Sequence, residues 1–80
     1  MENKDWRNNL QETKDDIGRQ LNELRRQKRL TLQELSEQVN LPQKVIERIE
    51  LGLNFNMDYN NIHCLARFYG QKIKVVFEKI

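Results

Sequence analysis

The segment TLQELSEQVNLPQKVIERIELG, residues 31–52, constrains the fold of this chain more than any other part of its sequence. Apolar residues recur at helical spacing on both sides of a short break that ends in Pro42, and this pattern predicts two short helices joined by a tight turn. The second helix begins with Gln43 and Lys44 and carries Arg48 one turn later. These long polar side chains can reach the edges of nucleic-acid bases.

The ends of both predicted helices are marked in the sequence. Thr31 followed by Glu34 forms a capping box that starts the first helix. Asn40 tolerates the left-handed backbone conformation that ends a helix, and Pro42 presets the backbone for the first turn of the next one. Gly52 is a good stop after the second helix.

Two further helices are predicted around this segment. Asp15 or Asp16 can cap a helix that begins near Ile17 and runs to about Lys28. A later helix ends at Gly70. The apolar stripe of that helix consists of Ile62, Leu65, Ala66 and Phe68 or Tyr69.

The C-terminal segment KIKVVFEKI, residues 72–80, has a different period. Ile73, Val75 and Phe77 occupy alternate positions, which indicates a β-strand. Because a lone strand leaves its backbone groups unpaired, we expect it to pair antiparallel with the same strand of a second copy across a two-fold axis. The alternatives are a frayed tail and a strand paired with residues 1–16, which are themselves a helical extension or a partly ordered arm.

Composition excludes several classes of protein. The 80 residues, with 38% apolar and 32% charged side chains, allow one small domain. No apolar run approaches the roughly 18 residues of a membrane span, and the polar N-terminus is unlike a signal peptide, so we expect a cytoplasmic protein. With one cysteine, Cys64, and one histidine, His63, the chain cannot complete an internal disulfide or a structural zinc site. We therefore expect no metal, no cofactor and no enzyme activity.

The net charge of +2 is unevenly distributed along the chain. Residues 1–16 carry −2, from three basic and five acidic side chains, whereas residues 17–52 and residues 53–80 carry +2 each. This mild positive bias of the body and tail permits binding to nucleic acid without requiring it.

The order of these elements and their motifs resemble the phage-repressor-like helix-turn-helix family, also called the Xre or Cro/C1-type family. The motifs are Leu-Thr-x-x-Glu-Leu-small at residues 30–36, Ile-x-x-Ile-Glu-x-Gly at residues 46–52 and a matching fourth helix at residues 62–70. The resemblance implies a mainly all-α fold of four to five helices over residues 17–70. The strand that follows, in residues 71–80, is similar to the C-terminal strand by which antitoxin-type members pair across a homodimer.

The resemblance also implies a DNA-binding site, in which the second helix of the motif lies in the major groove. The residues implied to contact base edges are Gln43, Lys44, Glu47 and Arg48. Those implied to contact phosphates are Thr31, Gln33, Asn54 and Asn56. In addition, Arg25 and Glu50 match a pair that forms an internal ion pair in this family.

The expected function is that of a homodimeric, sequence-specific transcriptional regulator, a repressor that binds double-stranded DNA. An antitoxin that represses its own operon and binds a cognate toxin fits this expectation, and so does a small phage or mobile-element repressor. The alternative is a protein-interaction module on the same scaffold that does not read DNA. In that case Leu32, Leu51 and Leu53 would form an apolar binding patch.

Overall fold

The helical spacing of the sequence corresponds to four α-helices in the computed structural model. The structure describes the backbone of residues 3–53 and 59–80 and the side chains of residues 7–53 and 59–80. The helices are α1 (Asn3–Gln27), α2 (Leu32–Val39), α3 (Gln43–Glu50) and α4 (Tyr59–Phe68). The prediction of a mainly helical fold is confirmed over these residues. None of the helices in this part of the chain is both long and apolar enough to cross a membrane.

Helix α1 is one continuous element of 25 residues. The prediction that Asp15 or Asp16 caps the start of a helix is therefore wrong, because residues 3–16 already belong to α1. Local preference is a weak determinant that tertiary contacts override. One such contact is the 3.1 Å hydrogen bond that Gln11 Nε2 donates to the carbonyl oxygen of Gly52.

Helices α1, α3 and α4 are each followed by a residue in the left-handed backbone conformation. Arg29 has this conformation after α1, with φ 56°, and the N–H of Leu30 donates back to the carbonyl of Arg25 at 3.2 Å. Gly52 after α3 and Gly70 after α4 have φ values of 70° and 73°. This motif gives hydrogen-bond donors to carbonyls that the end of a helix otherwise leaves without partners.

Local hydrogen bonds define both ends of α2 and the turn that joins it to α3. Thr31 and Glu34 form the predicted capping box at the start of α2. At its end Asn40 is left-handed, with φ 57°, and its N–H donates to the carbonyl of Ser36 at 2.9 Å. The hydroxyl of Ser36 donates to the carbonyl of Leu41, so a single side chain spans the turn.

The apolar faces of the helices meet in one core, in which α1 packs on α3, α3 on α2 and α2 on α4. The buried apolar side chains are Leu21, Leu35, Ile46, Ile49, Ile62, Leu65, Ala66 and Tyr69. Ile62, Leu65 and Ala66 belong to the stripe predicted for the last helix, and of the two alternatives, Phe68 and Tyr69, it is Tyr69 that is buried. Complete burial of a leucine or isoleucine contributes about 1.5–3 kcal/mol, so this core fixes which face of each helix remains exposed.

Gly18 determines how closely α1 approaches α3. An added Cβ at this position would lie 2.5 Å from the backbone carbonyl oxygens of both Ile49 and Glu50. Backbone oxygens cannot rotate away as the end of a side chain can, so glycine is the residue that permits this contact. The close approach brings the polar side chains of α1 within reach of the end of α3.

The predicted C-terminal strand is not formed in the single chain. The described residues contain no β-strand, and residues 71–80 follow α4 without regular secondary structure. A strand requires backbone hydrogen bonds from a neighbouring strand, which the helices described here do not offer. Of the residues predicted to mediate dimerisation, Ile73 packs against the core, whereas Val75 and Phe77 are 71% and 94% exposed.

Candidate nucleic-acid interface

Helix α3 has one buried face and one exposed face. Ile46 and Ile49 are buried, and Val45 packs partly against the core. The opposite face carries the exposed side chains of Gln43, Lys44, Glu47 and Arg48. Positions 43 and 47, like positions 44 and 48, are one turn apart, so these side chains are neighbours on the helix surface. All four residues predicted to contact bases therefore share one exposed face.

The end of α3 is anchored by the ion pair between Arg25 and Glu50. Arg25 Nε and Nη2 lie 2.9 Å from Glu50 Oε2 and 3.0 Å from Oε1, which is a bidentate arrangement. Asn22 Nδ2 donates to the same carboxylate at 2.8 Å, and Arg25 Nη1 donates to the carbonyl of Leu30 at 2.9 Å. The two charged side chains are only 16% and 5% exposed. The hydrogen bond to Glu50 is the main reason that the pKa of Arg25 is raised.

Tyr69 lies beside this ion pair with its ring in the core. Its hydroxyl is buried and has no hydrogen-bond partner among the described residues. Burial in the first place, and then the negative charge of Glu50, raise the pKa of Tyr69 to about 12, while the charge of Arg25 lowers it. The ring of Phe68 contacts that of Tyr69 edge-on, with 5.2 Å between the ring centroids. The neutral phenol is therefore the form that the fold accommodates.

The start of α2 was predicted to hold a phosphate. There Thr31 Oγ1 accepts from the N–H of Glu34 at 3.1 Å, and the N–H of Thr31 donates to the Glu34 carboxylate at 2.9 Å. This second bond is the main reason that the pKa of Glu34 is lowered. Since Thr31 is engaged in the cap, the donors open to an anion at this helix end are the N–H groups of Leu32 and Gln33. The side-chain nitrogen of Gln33, Nε2, lies 3.5 Å from the Glu37 carboxylate.

The start of α3 differs from that of α2. Pro42 is its N-cap residue, and no side chain caps the helix there. The N–H groups of Gln43 and Lys44 have no acceptor within the helix, and the helix dipole favours negative charge at this end. Asn54 and Asn56, the remaining predicted phosphate contacts, lie outside the described residues.

A concave surface, here called the α3 depression, lies beside the exposed face of α3. It is lined by Lys44, Val45, Glu47, Arg48 and Leu53. Two cations, a carboxylate and two apolar side chains thus share one surface. The chemistry suits a ligand that carries negative charge, hydrogen-bonding groups and some apolar surface at the same time.

The apolar patch predicted from Leu32, Leu51 and Leu53 is formed only in part. Leu32 is half-buried and packs against the core, because it begins α2 on the side that faces the other helices. Leu51 and Leu53 are each 59% exposed. Among the described residues, the exposed apolar surface near α3 therefore lies at the end of that helix, where Leu53 borders the charged residues.

Sequence reasoning missed the residues of α1 that hold it against the end of α3, which are Gln11, Asp15, Gly18 and Asn22. With Arg25 they follow one another at alternating spacings of four and three residues, which places them on one helical face. Gln11 Nε2 lies 2.9 Å from the Asp15 carboxylate as well as near Gly52. Gly18 is the detectable member of this set, because a glycine inside a helix often marks a close approach.

Comparisons of the chain with family models, with curated proteins and with solved structures found no match. Within the described residues, no group of three His, Cys, Asp or Glu side chains is arranged to hold a metal ion. What this surface can bind is therefore inferred from its own side chains and their positions.

Removing one partner of the Arg25–Glu50 pair should destabilise the fold more than removing both. Arg25→Met or Glu50→Leu leaves a buried charge without its counterion, at an expected cost of about 3–5 kcal/mol, whereas the double variant leaves no such charge. Urea unfolding followed by circular dichroism measures all four chains of this double-mutant cycle. Purely additive losses in the double variant would contradict a coupled buried pair.

Tyr69 should make the folded state less stable at high pH. Its pKa is about 12 in the folded chain, compared with an ordinary value of 10.0. The contribution of the neutral phenol to the free energy of unfolding is therefore fully present below about pH 10 and is lost as the pH rises through 12. Tyr69→Phe should abolish this loss. At neutral pH the variant should also be more stable by about 1 kcal/mol, because no buried hydroxyl lacks a partner.

The matched control is Tyr59→Phe, since Tyr59 is 61% exposed. Unfolding free energies of both variants and the unmodified chain are measured in urea from neutral pH to about pH 12. Tyr59→Phe should leave the pH dependence unchanged. An equal decline in the Tyr69→Phe variant would show that other groups cause the loss of stability.

Proposed function

We propose that this chain is a sequence-specific DNA-binding transcriptional regulator that acts as a homodimer, with α3 in the major groove. The observation that carries the proposal is the exposed face of α3. Four side chains able to contact base edges project from a helix whose opposite face is buried in the core. The likeness of residues 17–70 to the phage-repressor-like helix-turn-helix family supports the same assignment.

The chemistry of the exposed face matches the edges of bases in the major groove. Gln43 can bond adenine in a bidentate manner, Lys44 and Arg48 suit the O6 and N7 atoms of guanine, and Glu47 can accept from N4 of cytosine. Each good bidentate contact is worth about 1–3 kcal/mol of discrimination between bases. The buried Arg25–Glu50 pair supports this use, because it anchors the end of α3 before binding and so reduces the ordering that binding has to impose.

The proposed dimer depends on the C-terminal tail, residues 72–80. Its exposed apolar side chains are Val75, Val76, Phe77 and Ile80. A cluster of such side chains in water is unfavourable and typical of an interaction surface. Antiparallel pairing with the tail of a second copy would cover this surface and satisfy the backbone groups. Two copies of α3 would then contact half-sites about one helical turn apart, roughly 34 Å.

Two biological roles suit a small dimeric regulator of this kind. One is an antitoxin that represses its own operon and binds a cognate toxin. The other is a repressor encoded by a phage or another mobile element. The identity of the neighbouring gene distinguishes the two roles directly.

A protein-interaction module is the second candidate function. It is favoured by Leu51 and Leu53, two large apolar side chains that are both exposed near the end of α3. Salt separates the two candidates. Binding to DNA weakens steeply as salt concentration rises, because phosphate contacts release counterions, whereas an apolar interface with a protein lacks this dependence.

Lys44→Ala combined with Arg48→Ala should abolish sequence-specific binding to DNA. Duplexes are first selected from a random library with the unmodified chain, and affinities are then measured by fluorescence anisotropy at several salt concentrations. The variant should lose about 2 kcal/mol or more of preference for the selected duplex, since two base contacts are removed. Because both side chains are exposed, the helical content and the melting temperature should remain unchanged.

The control for charge is Arg19→Ala combined with Arg67→Ala, which removes two exposed positive charges outside α3. This variant should retain the preference for the selected duplex. A preference that survives in the α3 variant would exclude α3 as the helix that contacts bases. Affinity that does not decrease with salt would favour the interaction module instead.

Truncation after Lys74 should convert the dimer into a monomer. The truncated chain keeps Ile73, which packs against the core, and loses the exposed apolar residues of the tail. Sedimentation velocity measures the oligomeric state, and circular dichroism verifies that the helices are intact. Glu78→Ala combined with Lys79→Ala changes the tail without removing its apolar residues and should remain dimeric. A truncated chain that is still a dimer would locate the interface elsewhere.

A further inference from the structure

We infer that Leu53 contacts the C5-methyl group of a pyrimidine in the major groove and thereby contributes to the base preference of this site. The inference rests on the proposed function, because it concerns what the α3 depression contacts on DNA. It adds an apolar determinant to the polar side chains of α3.

The backbone that carries Leu53 is held in place from two directions. Its N–H donates to the carbonyl of Arg48 at 2.9 Å, directly after the left-handed Gly52. On the other side, the carbonyl of Gly52 accepts from Gln11 at 3.1 Å, and an added Cβ at Gly52 would lie 2.4 Å from Asp15 Oδ1. Leu53 therefore has a defined position at the edge of the α3 depression, even though its side chain is exposed.

The surroundings of Leu53 indicate what it contacts. Lys44, Glu47 and Arg48 line the same depression, so an apolar partner protein would have to bury their charges against its own surface. On DNA the same charges find phosphates and the polar edges of bases. The apolar group that DNA presents in the major groove is the methyl group on C5 of thymine, and 5-methylcytosine carries the same group. Leu53, 59% exposed, matches this group in chemistry, and it lies in the same lining as the polar side chains proposed to contact bases.

The expected effect is small but measurable. Transfer of one methyl group from water to an apolar contact changes the dissociation constant about fourfold, which corresponds to roughly 0.8 kcal/mol. A leucine truncated to alanine loses the atoms that make this contact, so the variant should not distinguish a methylated pyrimidine from an unmethylated one.

The test uses the full chain and a duplex selected from a random library. Each thymine of the selected duplex is replaced in turn by deoxyuridine, which lacks only the C5-methyl group, and in a second series each cytosine is replaced by 5-methylcytosine. Dissociation constants are measured by fluorescence anisotropy. We expect about fourfold weaker binding for deoxyuridine at one thymine of each half-site, which would identify thymine as the source of the methyl group. About fourfold tighter binding for 5-methylcytosine at one position would identify cytosine instead.

Leu51→Ala is the matched control for Leu53→Ala. Leu51 is the same residue type with the same 59% exposure, but it does not line the α3 depression. Leu53→Ala should bind the methylated and unmethylated duplexes equally, whereas Leu51→Ala should still distinguish them. The inference is overturned if no position responds to the methyl group, or if Leu53→Ala retains the response. A selection that enriches no duplex would contradict the proposed function itself. An enriched duplex without a methyl response that depends on Leu53 would contradict only the inference about Leu53, so the two failures are distinguishable.

Discussion

The contact between Arg25 and Glu50 joins the first and third helices, and the placement of α3 depends on it. The Glu50 carboxylate accepts hydrogen bonds from Arg25 and from Asn22, while Arg25 also donates to the carbonyl of Leu30 just before α2. A packing that buries these two side chains must also pair their charges. A misaligned α1 would leave a charge in the core at a cost of several kcal/mol. The ion pair therefore selects one arrangement of the helices.

The parts of the fold that were predictable from the sequence are those encoded by neighbouring residues. The capping box at Thr31 and the left-handed Asn40 mark the ends of α2, and Gly52 marks the end of α3. Each of these positions acts through hydrogen bonds within a few residues, so the sequence pattern contains the whole interaction. The exposed face of α3 was predictable for the same reason, because apolar spacing determines which face of a helix is buried.

The features that escaped prediction depend on residues distant in the chain or on another molecule. The sequence leaves open whether residues 1–16 form a helical extension or a partly ordered arm, because one contact that supports the continuous α1 joins Gln11 to Gly52, 41 positions away. The phenol of Tyr69 has no hydrogen-bond partner in the part of the chain that the structure describes, which follows from packing around the ion pair and has no local pattern. The tail after Ile73 has the alternation of a strand, but its pairing would require backbone donors and acceptors that the described helices do not offer. Alternation predicts that a strand is able to form, and the available partners decide whether it does.

The polar face of α1 influences the position of the exposed face of α3. The residues of this face are Gln11, Asp15, Gly18, Asn22 and Arg25, and each meets the last turn of α3 or the glycine after it. Gln11 thus supplies a donor from a distant part of the chain to the carbonyl of Gly52 just after α3, while Asn22 and Arg25 hold the side chain of Glu50 in its last turn. A shift of α1 by one turn, about 5.4 Å, would break every one of these contacts at once. Substitutions in α1 that touch no ligand can therefore change the tilt of α3. A change in tilt alters the direction in which the side chains on the exposed face of α3 project.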